Sequence, residues 1–290
     1  MTTSSNKPPY KVAGIMGWPV GQSRSPLIHN YWIAKYGLEG DYIRLPVKPE
    51  DPNGLRDAIA GMRAMGFAGC NLTMPHKTAA LAFVDHLDPM AKRMGAVNTL
   101  VFGEDGSISG FNNDGFGYVE SLREVGYTDF AKGPITVIGA GGAARAVLLA
   151  LADAGAKEIR LANRTDANAV AVAQKFANEF GLPVKAVPWA SRCQLLDGAS
   201  LLVNATSQGM YGQPALDLKL DALPVSALVS DVIYVPLETP LLATAKARGH
   251  QTVNGLGMLL NQARPAFKAW FGVMPEITPE LREMALATFQ

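Results

Sequence analysis

Three short polar clusters in the first half of the chain carry side chains able to hold and move a proton. Asn71-Leu72-Thr73-Met74-Pro75-His76-Lys77 leaves an apolar run through two polar residues and closes on a proline and a lysine. An ammonium in a cleft can give a proton to a carbonyl oxygen as that group is reduced, provided burial and neighbours tune its pKa. Gly95-Ala96-Val97-Asn98-Thr99 and Asn112-Asn113-Asp114-Gly115 also lie at apolar boundaries, where turn formation is the ordinary use of such residues. A carboxylate beside Lys77 would orient it and shuttle its proton, so a lysine–carboxylate pair is the chemical expectation.

A second chemistry is written in Gly139-Ala140-Gly141-Gly142-Ala143-Ala144, which follows the apolar run Ile135–Ile138 and leads into an apolar helical stretch ended by Gly155. Gly139-x-Gly141-x-x-Ala144 fits the dinucleotide fingerprint: one glycine for a tight turn, one for close approach of a pyrophosphate, and a small residue for helix packing. With a strand before and a helix after, the pyrophosphate would meet free N–H groups at the helix's positive end. The plain alternative is an ordinary strand-to-helix turn. After the next strand the chain reads Asn163-Arg164-Thr165, where an NAD site usually places an acidic residue for the ribose. Arg164 suits a 2′-phosphate and favours NADP. Asp166 would repel that phosphate, which keeps NAD as the alternative.

The elements that must position these residues follow from hydrophobic periodicity. Val12–Met16 reads as a strand running into Gly17-Trp18-Pro19, and Ser23-Arg24-Ser25-Pro26 as loop. A helix follows to Gly37, then strand-like Tyr42–Val47, helical Leu55–Met65, strand-like Gly69–Thr73 and helical Thr78–Val84. This βαβαβα order predicts a mainly parallel sheet with ligands at the loops after its strands, where Ser23, Ser25 and Lys77 are expected. Beyond the glycine turn, Glu158–Ala162, Leu201–Asn204 and Leu228–Ile233 read as strands, with helices starting near Asn168 and Pro240. Met258–Gln290 is helical in pattern and is expected to pack back onto the first half.

Composition narrows the function classes. At 290 residues the chain is about twice the usual single-domain length, so two domains are expected. Hydrophobic residues at 48% and charged residues at 18% argue for a packed core. A net charge of +1 lacks the basic excess that nucleic acid or an anionic membrane would need. No apolar stretch reaches the roughly 18 residues of a spanning helix, and Met1–Tyr10 is polar, without a signal-peptide core. The cytoplasm is therefore the expected address. Cys70 and Cys193 are read as buried free thiols, and the scattered His29, His76, His86 and His250 predict no metal site.

Taken together, the motifs resemble the shikimate dehydrogenase family over nearly the whole chain from Gly17 to Gln262. The resemblance rests on Ser23-x-Ser25-Pro26, Asn71-x-Thr73-x-Pro75-x-Lys77, Gly95–Thr99, Asn112-x-Asp114-Gly115 and Gly139–Ala143. Asn163-Arg164-Thr165, Asn204–Ser207 with Gly209-Met210, Asp231-x-x-Tyr234-x-Pro236 and Gly255–Leu259 with Gln262 extend it.

The resemblance implies an α/β protein of two domains. Residues 10–115 plus 257–290 would form a mainly parallel substrate-binding and catalytic domain, with the C-terminal helices returning to it. Residues 116–256 would form a Rossmann-type NADP-binding domain. It also implies reversible, NADP-dependent reduction of 3-dehydroshikimate to shikimate in aromatic amino-acid biosynthesis, with Lys77 and Asp114 as catalytic pair. Ser23 and Ser25 would hold the substrate carboxylate. Thr73, Lys77, Asn98, Asp114 and Gln262 would read the ring hydroxyls, and Tyr234 would line the cleft. Gly139, Ala140, Gly141, Gly142, Ala143, Asn163, Arg164, Thr165, Thr206, Val232 and Gly255 would hold the cofactor. The partner is a small molecule, and the protein a monomer or homodimer.

The sequence departs from the family pattern with Gln22 for a frequent His, Leu72 for Val, Asn113 for Thr and Asn168 for a frequent second Arg. One rival reading is a paralogue acting on quinate or a related acid with NAD or NADP. Ser25, where quinate-using relatives can carry Thr, leans toward shikimate. A rival of another class is a non-catalytic sensor of a dinucleotide and a small acid.

Overall fold

The computed structural model describes residues 9–289. Residues 1–8 of the polar opening, and Gln290 of the C-terminal helical stretch, lie outside the described residues. The described chain divides into two compact units, residues 9–113 with Ala263–Thr288, and Asp114–Gln262.

In the first unit, β1 (Lys11–Gly17), α1 (Ser25–Lys35), β2 (Gly40–Pro46), α2 (Gly54–Ala64) and β3 (Gly69–Leu72) alternate as the periodicity predicts. The predicted helix at Thr78–Val84 is a short α3 (His76–Ala79) continued by a 3-10 turn over Ala80–Phe83. The expected loop positions of Ser25 and Lys77 are corrected by the structure: Ser25 opens α1 and Lys77 lies in α3, because Pro26 and Pro75 start helices at those points. β4 (His86–Leu87), α4 (Pro89–Met94), β5 (Thr99–Phe102) and β6 (Ile108–Phe111) complete this part. The sheet order is β2-β1-β3-β5-β6-β4. It is parallel except for β5, which runs antiparallel to both β3 and β6.

The second unit opens with α5 (Asp114–Arg123) and continues through β7 (Ile135–Ile138), α6 (Gly142–Asp153), β8 (Ile159–Ala162), α7 (Asp166–Phe180) and β9 (Val184–Ala186). β10 (Leu201–Asn204), β11 (Leu228–Asp231), α8 (Pro240–Ala247) and β12 (Thr252–Val253) follow. All of its strands are parallel, in the order β12-β11-β10-β7-β8-β9. This is the doubly wound arrangement whose strand order reverses between β7 and β10, the place where such sheets bind ligands. α6 is buried on most of its surface, from Ala146 through Leu151, which explains its nearly continuous apolar sequence.

The C-terminal helical pattern resolves into α9 (Leu256–Phe271) and α10 (Pro279–Ala287). The division between units falls after Asn113 and after Gln262 rather than at residues 115/116 and 256/257. The reason is local packing. A Cβ on Gly115 would meet Ala150 Cβ at 2.8 Å, and one on Gly117 would meet the Gln262 amide nitrogen at 2.7 Å, so α5 lies tight against α6 and the first half of α9. Residues Ala263–Thr288 belong to the first unit, in whose core Phe267 and Trp270 join Trp32, Tyr42 and His29 in an aromatic cluster. Trp270 Nε1 donates to the Leu100 carbonyl at 3.0 Å across Gly69, whose missing side chain makes room for the indole.

Cys70 is buried, and burial pushes its thiol up to about 12, whereas Cys193 is only half-buried. Among the described residues no helix is long and apolar enough to cross a membrane. No group of three or more His, Cys, Asp or Glu among them is placed to hold a metal ion.

Candidate active site

In the first unit the strand directions decide what meets. β1, β3 and β6 are parallel to one another and end at one edge of the sheet, and β5, running the other way, begins there. The segments carrying Ser23, Thr73, Lys77, Asn98 and Asn113 therefore gather at that edge. Backbone hydrogen bonds tie them together: Trp18 N–H to the Met74 carbonyl at 3.1 Å, Thr73 N–H to Met16 at 2.9 Å, and Val97 N–H to Lys77 at 2.9 Å. Thr73 packs so closely on Gly17 that a Cβ there would lie 2.2 Å from Thr73 Cγ2. The Ser25 N–H donates to Ser23 Oγ at 3.3 Å, which links the two serines at the start of α1.

The polar residues behind this edge form one network. Tyr42 Oη donates to Asn71 Oδ1 at 2.7 Å, and Asn71 Nδ2 donates to Thr99 Oγ1 at 3.0 Å. Asn98 Oδ1 accepts from Thr99 Oγ1 at 2.9 Å and from the Asn113 N–H at 3.0 Å, while Asn113 Nδ2 donates to Thr99 Oγ1 at 3.1 Å. Asn71, Asn98 and Thr99 are buried, so these bonds offset the cost of removing them from water. Asn98 turns its oxygen into the network. Lys77 is half-buried. Asp114 is also half-buried and opens α5 in the second unit.

In the second unit Gly139 has φ +113°, and a Cβ there would lie 2.8 Å from the Ala205 carbonyl oxygen. Glycine is required at this turn. Gly141 and Gly142 are exposed and have open space where a side chain would stand, beside the free amides of α6. Ala140 completes the turn and Ala143 stands exposed in the first turn of α6. Asn163 links this turn to the next loop, accepting from the Ala140 N–H at 3.2 Å and donating to the Thr165 carbonyl at 2.9 Å.

A cavity of about 280 Å³ at the exits of β8 and β10 is lined by Asn163, Arg164, Thr165, Asn168, Thr206 and Trp189, among others. Arg164 is exposed there with no ion pair among the described residues. The open glycine turn, the free amides behind it and this cation beside a polar cavity fit the pyrophosphate and ribose phosphate of a dinucleotide.

Thr206 is oriented by Asn204, whose Oδ1 accepts from its hydroxyl at 2.7 Å. Gly255 lies so near β11's exit that a Cβ would be 2.1 Å from the Val232 carbonyl oxygen. Beneath Val232, burial raises the Asp231 carboxyl above its ordinary range, opposed by hydrogen bonds from Asn204, Ile233 N–H and Thr239. Gln262 is half-buried and donates to the Leu259 carbonyl at 3.1 Å, and Tyr234 is exposed with its ring 5.6 Å from Phe289. Trp189, like Gln208, Gln213 and Pro214, is a cavity residue that no motif pointed to. Its only signal is an aromatic after Pro188, following a strand too short for periodicity to register.

A doubly wound unit with a phosphate cradle, and a separate α/β unit presenting hydroxyl, amide and ammonium groups at one sheet edge, define an NAD(P)-dependent oxidoreductase acting on a CH–OH group. Models of the shikimate dehydrogenase substrate binding domain, of shikimate/quinate 5-dehydrogenase and of the shikimate 5′-dehydrogenase C-terminal domain match residues 15–100, 122–211 and 255–279. A protein of Paramagnetospirillum magneticum named shikimate dehydrogenase (NADP(+)) is 51% identical over 96% of this chain and 98% of its own. The chain belongs to the shikimate dehydrogenase family. The shikimate 5-dehydrogenase of Thermus thermophilus, solved with NADP(H) and shikimate, superposes with a TM-score of 0.83 at 38% identity, over 97% of this chain and 100% of that one. Quinate dehydrogenase of Corynebacterium glutamicum, solved with NAD, gives 0.88 at 29% identity over 96% and 100%.

Proposed function

We infer that this protein catalyses the reversible, NADP-dependent reduction of 3-dehydroshikimate to shikimate, a step of aromatic amino-acid biosynthesis. We place it in the cytoplasm, as a monomer or homodimer acting on a small-molecule substrate. What carries the reading is the sheet edge where Ser23, Thr73, Lys77 and Asn98 gather, in a chain whose near full-length relative is named for this reaction. The first unit serves as the substrate domain and the second as the cofactor domain.

Ser23 and Ser25 hold the substrate carboxylate through their hydroxyls, and Thr73, Asn98 and Gln262 read its ring hydroxyls. A substrate rich in hydroxyls needs such directional partners, because each one left unmatched exposes a buried polar group. Tyr234 lines the cleft. NADPH, when bound, supplies the hydride that converts the keto carbon to a CH–OH carbon. The Lys77 ammonium stabilises the alkoxide charge that develops on the oxygen, and the Lys77/Asp114 pair delivers the proton that completes the alcohol. Gly139 through Ala143 and Asn163 cradle the pyrophosphate end, Arg164 and Thr165 take the 2′-phosphate, and Thr206, Val232 and Gly255 border the remainder of the cofactor.

Mixing the protein with shikimate or quinate and with NADP⁺ or NAD⁺, in all four pairings, tests this by the absorbance of the reduced nicotinamide. Turnover concentrated in shikimate with NADP⁺ is expected. Lys77→Ala should then lose about 10²- to 10⁴-fold in kcat while retaining NADP⁺ binding. No turnover in any pairing overturns the reading and leaves the sensor in its place. Asn168 in the phosphate cavity, where a second Arg is frequent in the family, favours one further reading, a quinate or shikimate enzyme accepting NAD. NAD⁺ preference in the same assay selects it.

A further inference from the structure

One wall of the cavity beside Arg164 is Trp189, a half-buried aromatic held by contacts to its backbone and to its ring. The Trp189 N–H donates to Asp166 Oδ1 at 2.7 Å, and the Trp189 carbonyl accepts from Arg192 Nη1 at 3.2 Å. The Arg192 guanidinium carbon stands 4.7 Å from the centre of the indole ring. Arg192 is anchored in turn by Nε to the Asp217 carbonyl at 2.7 Å and by Nη2 to Asp217 Oδ2 at 2.5 Å. Trp189 lines the cavity and Arg192 does not, so the guanidinium backs the ring. Asp166, whose charge in the sequence looks merely unfavourable beside Arg164, is the first residue of α7 and spends a carboxylate oxygen on this contact.

We propose that Asp166 is a positioning residue for the adenosine end of the cofactor: its carboxylate latches Trp189, and the indole so held is the wall against which the adenine ring stacks, with Arg164 as the cation that meets the 2′-phosphate. The proposal rests on the reading of the second unit as the NADP-binding domain. Stacking of a base on an aromatic ring is favourable whatever the ribose carries. A ring fixed before the ligand arrives loses little further conformational freedom on binding. The latch therefore strengthens the part of the ligand that NADP and NAD share. Its negative charge opposes the part that distinguishes them.

Calorimetric titration of the full-length protein with NADP⁺ and with NAD⁺ tests the latch without any turnover. Asp166→Ala should weaken NAD⁺ by a factor of about ten, because it frees the wall that both ligands use, and NADP⁺ by less, because it also removes the charge that opposes the 2′-phosphate. Asp166→Asn retains an oxygen that can accept the Trp189 N–H, and should leave NAD⁺ binding unchanged while tightening NADP⁺. For NAD⁺, Trp189→Ala should match Asp166→Ala, and the double variant should add nothing to either one. Trp189→Phe, which keeps a stacking face, should recover most of the loss. Tighter NADP⁺ with unchanged NAD⁺ in Asp166→Ala would make Asp166 a bare repelling charge and overturn the latch, as would unaltered binding of both ligands. Wild-type protein that binds neither dinucleotide overturns instead the reading of this unit as a cofactor domain.

Discussion

His29 is a histidine that its surroundings keep neutral. It is fully buried, neither ring nitrogen has a hydrogen-bond partner, and its ring stacks on Tyr42 at 4.1 Å. Burial pulls its pKa from an ordinary 6.5 down to about 3. Between those values the unfolded chain binds the proton that the folded one refuses. Stability is therefore complete above pH 6.5 and falls as the pH drops toward 3, by up to about 1.4 kcal/mol per pH unit. Urea unfolding of His29→Phe at pH 7 and pH 5 should show a smaller loss on acidification than wild type, whatever its absolute stability. An equal loss in both proteins would show that other groups carry the acid sensitivity. At this scale the sequence marks residue types well and their partners poorly. Asn98, Thr99 and Asn113 look like turn formers in the sequence, yet with Asn71 they satisfy one another in and beside the core. Asp166 looks like a misplaced charge until the Trp189 amide is seen against it.

Elements with a long apolar stripe were legible, and those defined by what lies next to them were not. α6 and β10 follow from periodicity because their side chains are buried almost throughout. β5 and β6 have four residues each, and the clusters that flank them read as turns, so the antiparallel pair that brings Asn98 to the site edge left no pattern. Nor does sequence show that β3 must begin with a glycine. A Cβ on Gly69 would lie 2.0 Å from the Leu100 carbonyl oxygen and 2.3 Å from Trp270 Nε1, the two ends of a hydrogen bond that fastens α9 to the sheet. Gly69→Ala must displace the indole or the strand. It should cost about 1–3 kcal/mol or more in urea unfolding. An unchanged midpoint would mean that Trp270 does not fasten the helix.

The molecule as a whole is two cores threaded by one chain, and the first of them is assembled from both ends. Leu281 and Ala285 are buried in that unit along with Phe267 and Trp270, although they follow the entire second unit in sequence. A chain ending at Gln262 should lose the first unit's fixed structure. Trp32, buried in the intact protein, should emit like a solvent-exposed tryptophan, while NADP⁺ binding by the second unit persists. A native-like Trp32 signal in the shortened chain would show that the first core closes without its C-terminal helices. The same threading sets an order on the ribosome. Translation proceeds at about 5–20 residues per second, and roughly 150 residues separate Asn113 from Ala263. The strands made first therefore wait on the order of ten seconds for the helices that seal them, while the unit translated in the middle has every residue it needs. A nascent chain stalled in that interval already has the strands and helices of its middle unit and exposes an unfinished apolar core to whatever chaperone or protease meets it first.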